Sequence, residues 1–305
     1  MRMKIALLGA GAVGAYFIWG FENAGLSGRE FTVIAEGDRK ERLASEGIKV
    51  NGTLYHPCVR TPEEAGVQDL VIVAVKGNSL REAVKLLAPL VGDGTAVISM
   101  LNGADSEEII ADAVGKEHVL HSIILIASRR ADGEVLFDTT YNTTVYYGAN
   151  DLPDAGRLLD TVKNAFDGTR MNVLESSDIM FDIWSKYAKN ICNNLPQAIL
   201  GVPAALYTRS EHGLFIAQRL WDEVRILAKL RGVELPEKAG IYACADSSRY
   251  STLQDIDAGR PTEVDSLCGY LLRMAKENGI NVPYIEYTYH MIKAAEEKNA
   301  GVFDC

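Results

Sequence analysis

Lys186, Asn190 and Asn194 are spaced four apart in a segment whose other positions, Trp184, Tyr187, Ala188, Ile191 and Leu195, are apolar. At about 100° per helical residue the three polar side chains drift only about 80° in all and form a stripe beside the buried face. Asparagine is a poor helix former with no capping role in mid-helix. One ammonium and two carboxamides in a row suit a small oxygen-rich anion; the alternative is a solvated face that contains asparagines. Lys186 is the residue with a chemical task, and Lys189 reads as an ordinary solvent lysine. In Met100-Leu-Asn102-Gly-Ala-Asp105 the asparagine follows an apolar run, at the strand end where open α/β folds bind ligands. An Asn-Gly turn explains the same residues. In Ser251-Thr-Leu-Gln-Asp-Ile-Asp-Ala-Gly-Arg-Pro-Thr262-Glu263-Val-Asp265, Thr262 reads as a helix N-cap with Asp265 as its capping-box partner. Glu263 then falls in the first turn, where any carboxylate is favourable.

The N-terminal segment carries a more specific signal. Gly9-Ala-Gly11-Ala12-Val13-Gly14 follows a short apolar run and opens into a helical pattern. A first glycine permits the tight turn, a second lets backbone approach a pyrophosphate, and a third lets helix and strand pack closely, with phosphate at the helix N-terminus. The second apolar run ends at Glu36, 22 residues after Gly14. A carboxylate there accepts hydrogen bonds from ribose hydroxyls and repels a 2′-phosphate, which favours NAD. Arg39 and Lys40, one turn on, could instead hold that phosphate, so NADP stays open.

These residues need elements to position them. Lys4 to Leu8, Phe31 to Ala35, Leu70 to Val75 and Ala96 to Met100 read as strands; Ala15 to Asn23, Arg39 to Ser45 and Leu80 to Leu90 read as helices. Strands apolar on both faces and separated by helices predict a parallel sheet covered on both sides. From Val119, a turn at Arg130 to Glu134 and alternation over Thr143 to Gly148 predict an antiparallel addition at one edge. Beyond about Leu174 to Ser177 the pattern turns helical: Ile179 to Leu195, Ser210 to Leu230, Pro236 to Ala245, Thr262 to Glu277 and Tyr284 to Lys298. The expectation is an α/β Rossmann-type dinucleotide-binding domain over 1–175 and an all-α substrate and catalytic domain over 176–305.

Composition narrows the partners. A net charge of −10 over 305 residues disfavours nucleic acid and an anionic membrane surface. The apolar stretches Asp69 to Val75 and Val119 to Ala127 are far shorter than the roughly 20 residues of a spanning helix. The apolar start is interrupted by Gly9, Gly11 and Gly14, unlike a secretory signal. Five cysteines, Cys58, Cys192, Cys244, Cys268 and Cys305, form no metal-ligand pattern. A soluble cytoplasmic protein without a metal is expected.

Taken in order, GAGAVG, DLVIVAVK ending at Lys76, the LNG at Asn102, KYAKNICNN and STLQDIDAGRPTEVD resemble the ketopantoate reductase (2-dehydropantoate 2-reductase) family over nearly the whole chain. The resemblance implies a Rossmann domain, a helical domain, a site in the cleft between them, and reduction of ketopantoate to pantoate in coenzyme A synthesis. It puts the family's catalytic lysine on Lys186, its glutamate on Glu263, and its substrate residues on Asn190, Asn194 and Ser251. Lys76 and Asn102 fall on the nicotinamide side, and Gly9, Gly11, Ala12, Val13, Gly14 and Glu36 on the rest of the cofactor. Glu36 departs from the basic residue that many members carry to hold the NADP phosphate. NADP or NAD is therefore the expected cofactor, and a small 2-keto acid the substrate, with a homodimer as a possible assembly. An NAD-dependent reductase of another bulky 2-keto acid, of the D-mandelate type, is the alternative; a non-catalytic NAD(P) sensor has no use for Lys186 with Glu263.

Overall fold

The computed structural model describes residues 2–25, 29–131, 133–139 and 143–303. The chain divides into two compact units, one of Met1–Leu101 with Asp105–Ile179 and one of Asn102–Ala104 with Met180–Cys305.

Among the described residues of the first unit, twelve strands form two sheets. They are β1 (Met3–Leu8), β2 (Arg29–Ile34), β3 (Ile48–Val50), β4 (Thr53–Tyr55), β5 (Val59–Arg60), β6 (Leu70–Val73), β7 (Ala96–Ser99), β8 (Val119–Leu125), β9 (Ser128–Ala131), β10 (Glu134–Phe137), β11 (Thr144–Gly148) and β12 (Asn172–Glu175). The main sheet has the order β12-β11-β8-β7-β6-β1-β2-β5. Its stretch from β5 to β8 is parallel throughout. That order, with β1 central and the chain crossing back to β6, is the doubly wound arrangement whose switch point lies between β1 and β6. β11 joins β8 antiparallel, as the alternation predicts.

Successive residues explain the double cover. Ile5, Leu7, Leu70 and Ile72 join one core, while Ala6, Leu8, Val71 and Val73 join another on the opposite face. The unit's helices are α1 (Ala12–Asn23), α2 (Gly37–Glu46), α3 (Pro62–Ala65), α4 (Leu80–Ala83), α5 (Ser106–Val114) and α6 (Gly156–Phe166). Phe17 and Phe21 of α1 and Val162 and Phe166 of α6 fill the first core; Leu80 of α4 and Ile110 of α5 fill the second.

Two features of this unit depart from expectation. Leu80 to Leu90 is not one helix: α4 gives way to 3₁₀ turns at Val84–Leu86 and Ala88–Leu90, the second containing Pro89, which lacks the N–H a continuing helix would use. A separate four-stranded sheet, β4-β3-β10-β9, was not anticipated. Its strands are three or four residues long, too short for a periodic signal. Within it β9 and β10 pair antiparallel around the expected turn, whose Asp132 lies outside the described residues.

The second unit is helical: α7 (Ile179–Lys189), a π turn at Asn190–Asn194, α8 (Leu195–Leu200), α9 (Ala205–Arg209), α10 (Glu211–Lys229), α11 (Ser251–Asp257), α12 (Val264–Glu277) and α13 (Pro283–Asn299). Trp184, Tyr187, Ala188, Ile191 and Leu195 pack with Leu220, Trp221 and Val224 of α10 and Leu267 and Leu271 of α12. The helix expected over Pro236 to Ala245 is absent; that stretch is irregular and α11 follows it. Trp221 donates to the Pro236 carbonyl and Asn193 to the Gly240 carbonyl, so side chains take oxygens that a helix would have used. Among the described residues no helix is long and apolar enough to cross a membrane. Cys58, Cys192, Cys244 and Cys268 are free thiols, and Cys305 lies outside the described residues.

Candidate active site

At the end of β1 the chain turns through Gly9, whose φ of +110° a side chain would strain. A Cβ on Gly9 would also stand 2.6 Å from the Ala74 carbonyl oxygen, beyond β6, so the loop lies against the switch point. A Cβ on Gly14 would stand 1.9 Å from the Gly9 carbonyl oxygen, which explains the third glycine as a packing requirement. Gly11 differs: a Cβ there would meet only the Ala74 carbonyl oxygen, at 3.9 Å. Gly11 is the N-cap of α1, and no side chain caps the helix. An open glycine at an uncapped helix start, followed by Ala12 and Val13, is a cradle that a pyrophosphate fits. Glu36 is exposed and is itself the N-cap of α2. Lys40 is bonded to Glu64 at 2.7 Å, which engages one of the two cations left open for a 2′-phosphate. Lys76, exposed just past β6, caps a 3₁₀ turn at Gly77–Ser79.

In the second unit the sequence-distant Lys186, Asn102, Glu263 and Asn190 meet in one hydrogen-bonded cluster. Lys186 Nζ donates to Asn102 Oδ1 at 3.0 Å, and Asn102 Nδ2 donates to Glu263 Oε2 at 3.1 Å. Asn190 Nδ2 reaches the same Asn102 Oδ1 at 3.5 Å. Desolvation lowers the Lys186 pKa to about 8, while the Glu263 charge pulls it part of the way back. Asn190 and Asn194 are only 6% and 5% exposed, so the solvated-face alternative fails for both. Asn194 Nδ2 lies 3.4 Å from the hydroxyl of Ser251, the first residue of α11, and Asn194 Oδ1 is buried without a hydrogen-bond partner. A buried orphan acceptor is rare enough to need a reason, and a ligand hydroxyl supplies one.

The π turn was not visible in the sequence, and local chemistry accounts for it. Pro196 has no N–H for the carbonyl four residues back, and the Asn193 side chain donates to the Lys189 carbonyl at 2.9 Å. A wider turn rotates each residue by less than the about 100° of an α-helix, so the stripe from Lys186 to Asn194 drifts less than expected. The cap of α12 also differs. Glu263, not Thr262, is the N-cap; Thr262 accepts from Val264 N and donates to Glu296, and Asp265 bonds Tyr289 and Lys293 instead of closing a capping box. Lys189 is not a plain solvent lysine, since its ammonium lies 5.9 Å from the Tyr242 ring centroid. Tyr242, whose hydroxyl donates to Asn190 Oδ1 at 3.0 Å, was missed because it lies in the stretch read as helix.

A doubly wound sheet with a glycine cradle, followed by a helical region holding a desolvated lysine, defines an NAD(P)-dependent oxidoreductase. The chain belongs to the ketopantoate reductase PanE/ApbA family: the family's model matches residues 5–151, and the model of its C-terminal part matches residues 178–296. It is similar to the uncharacterized oxidoreductase YkpB of Bacillus subtilis, 26% identical over 96% of this chain and 99% of that one. It is also similar to the 2-dehydropantoate 2-reductase of Pyrococcus abyssi, 28% identical over 96% of this chain and 98% of that one. Among solved structures, the ternary complex of D-mandelate dehydrogenase with NADH and anilino(oxo)acetate has the same fold, with a TM-score of 0.83 at 22% identity over 98% and 99% of the two chains.

Proposed function

We propose that the protein reduces a branched 2-keto acid to the 2-hydroxy acid, with 2-dehydropantoate giving (R)-pantoate as the reaction, on the route to coenzyme A. The observation that carries this reading is the desolvated Lys186 ammonium hydrogen-bonded through Asn102 to Glu263. Curated relatives of that activity, aligned along almost the full chain, support it.

The glycine loop, Glu36 and Lys76 would hold the nucleotide, and the reduced nicotinamide supplies the hydride for C2 of the keto acid. As the C2 carbonyl oxygen gains charge, Lys186 gives it a proton and becomes a neutral amine that solvent reprotonates. A lysine whose pKa is lowered to about 8 is still mostly charged at neutral pH and is a stronger acid than an ordinary one. The Glu263 charge raises the pKa of that ammonium and, through Asn102, Glu263 fixes its direction. Asn194 Oδ1 accepts a hydrogen bond from a substrate hydroxyl beside Ser251, and the carboxamides bind the substrate carboxylate without a competing charge.

Oxidation of NADH and NADPH is followed with 2-dehydropantoate, 2-ketoisovalerate and phenylglyoxylate. The reading expects the highest kcat/KM with 2-dehydropantoate; dominance of phenylglyoxylate would move the substrate to the mandelate type. With Glu36 facing the ribose, NADH should outperform NADPH about tenfold or more, the scale of close charge repulsion. Glu36→Arg should flatten or reverse that ratio. A tenfold NADPH preference in the unmodified protein would withdraw NAD and leave the reductase reading intact.

A further inference from the structure

We propose that Tyr242 is a positioning residue for the keto acid: its hydroxyl orients the Asn190 carboxamide so that the amide nitrogen, not the oxygen, faces the Lys186–Asn102 cluster. This deepens the reading above and rests on it.

The direction of each hydrogen bond follows from the two charged ends of the network. An ammonium only donates, so the Asn102 atom 3.0 Å from Lys186 Nζ is its oxygen. The Asn102 nitrogen is then the atom at 3.1 Å from Glu263, whose carboxylate accepts. Asn190 approaches that same Asn102 oxygen at 3.5 Å, and only its nitrogen can serve there. The Asn190 oxygen is thereby turned to the Tyr242 hydroxyl at 3.0 Å, which must donate. Burial pushes the phenol up, so it keeps its proton at any working pH. Remove the hydroxyl and the carboxamide loses its preference. In the flipped orientation it presents an acceptor to the oxygens of the keto acid.

The tyrosine is itself held for this task. Its backbone N–H donates to Asn193 Oδ1 at 3.2 Å, and Asn193 Nδ2 donates to the Gly240 carbonyl at 2.9 Å, tying the irregular stretch to the π turn. Gly240 lies close to the Lys189 side chain: a Cβ there would stand 2.8 Å from the flexible Lys189 Cε. The Tyr250 ring, 5.5 Å away between centroids, backs the Tyr242 ring.

The test is a double-mutant cycle of Tyr242→Phe and Asn190→Ala, read as KM for the keto acid, kcat and KM for the nicotinamide cofactor. Tyr242→Phe should raise the keto-acid KM about tenfold, the usual effect of one well-placed hydrogen bond, with kcat within about threefold and the cofactor KM unchanged. In the Asn190→Ala background the same change should add less than about twofold. Thermal melting of each variant separates positioning from folding, since a purely structural role lowers the melting temperature or the active fraction without moving KM. Additive effects, or an unchanged KM in Tyr242→Phe while Asn190→Ala is impaired, would overturn the proposal alone. Wild-type kinetics in both Lys186→Ala and Asn190→Ala would instead overturn the wider reading and the proposal with it.

Discussion

Glu107 in the first unit and Lys186 in the second are both desolvated, and both are pushed toward their neutral forms, Glu107 up to about 7 and Lys186 down to about 8. Their surroundings differ. Glu107 lies in the first turn of α5, where Ser106 Oγ and Ser122 N donate to its two oxygens at 2.8 and 3.3 Å. Ser106 in turn bonds Ser99 Oγ at 2.8 Å, and Ser99 N and O are both bonded by the Ser122 hydroxyl. Hydroxyls and backbone groups close that network on itself. Around Lys186 the partners are a carboxylate and long carboxamides, and about two turns away Asn194 Oδ1 has no partner. Burial shifts a pKa in either setting; only the second leaves polar capacity unspent, and that separates a site from a satisfied core.

The largest effect should come from Lys186→Ala. If the ammonium protonates the reacting oxygen, kcat falls by roughly 10²-fold or more, the scale of a lost general acid, while NAD(P)H affinity measured by fluorescence titration stays within about threefold. Turnover that survives within a factor of about three would make Lys186 a buried structural lysine, and the contrast with Glu107 would collapse.

Glu107→Gln sharpens the other side. The carboxyl titrates near 4.5 when exposed and at about 7 in the fold, so below 4.5 both states are protonated. Between those values the folded state holds a proton that the unfolded state has released, and stability falls as pH rises toward 7. The full penalty is on the order of 3 kcal/mol above that range, an upper figure because the interior relaxes. Glutamine keeps the shape of the protonated acid: its oxygen accepts from Ser122 N and its amide donates to Ser106. Urea unfolding at pH 5.5 and pH 8 should therefore show a smaller difference for the variant than for the native chain, with kcat unaltered. An equal pH slope in both proteins would show that Glu107 is not what carries it.

The sequence made the closed parts of the fold more legible than the site. Strands apolar on both faces announced the doubly covered parallel sheet, and Gly9 and Gly14 have the backbone and packing constraints that their positions suggested, while Gly11 is open. Lys186, Asn190 and Asn194 stood out because carboxamides on a core helix are costly, a local signal. Nothing local linked them to Asn102 and Glu263, which are 84 residues before Lys186 and 161 residues after Asn102 respectively. The π turn escaped because a four-residue spacing looks alike in an α-helix and across one wide turn; Pro196 beside consecutive asparagines was the available clue. Tyr242 escaped for another reason. Apolar residues around Ile241 imitate a helical pattern, yet Asn193 takes the Gly240 carbonyl and holds the stretch open.

A smaller effect isolates the feature that distinguishes the two buried groups, the carboxylate beside the ammonium. Glu263→Gln keeps a carboxamide oxygen to accept from Asn102 Nδ2 and removes only the charge. That charge raises the Lys186 pKa against the desolvation that lowers it, so without it the ammonium deprotonates at lower pH. A general acid must be protonated to act, hence the rate falls as pH rises through its pKa. The alkaline limb of the kcat/KM profile should therefore sit near pH 8 in the native protein and move down by about one unit in the variant, leaving activity at pH 6 within about threefold. Glu263→Ala, which also leaves the Asn102 amide without its acceptor, should lose more at every pH. If the limb stays in place in Glu263→Gln, the carboxylate serves Asn102 alone, and the Lys186 cluster differs from the Glu107 network in its unspent acceptor at Asn194 but not in its electrostatics.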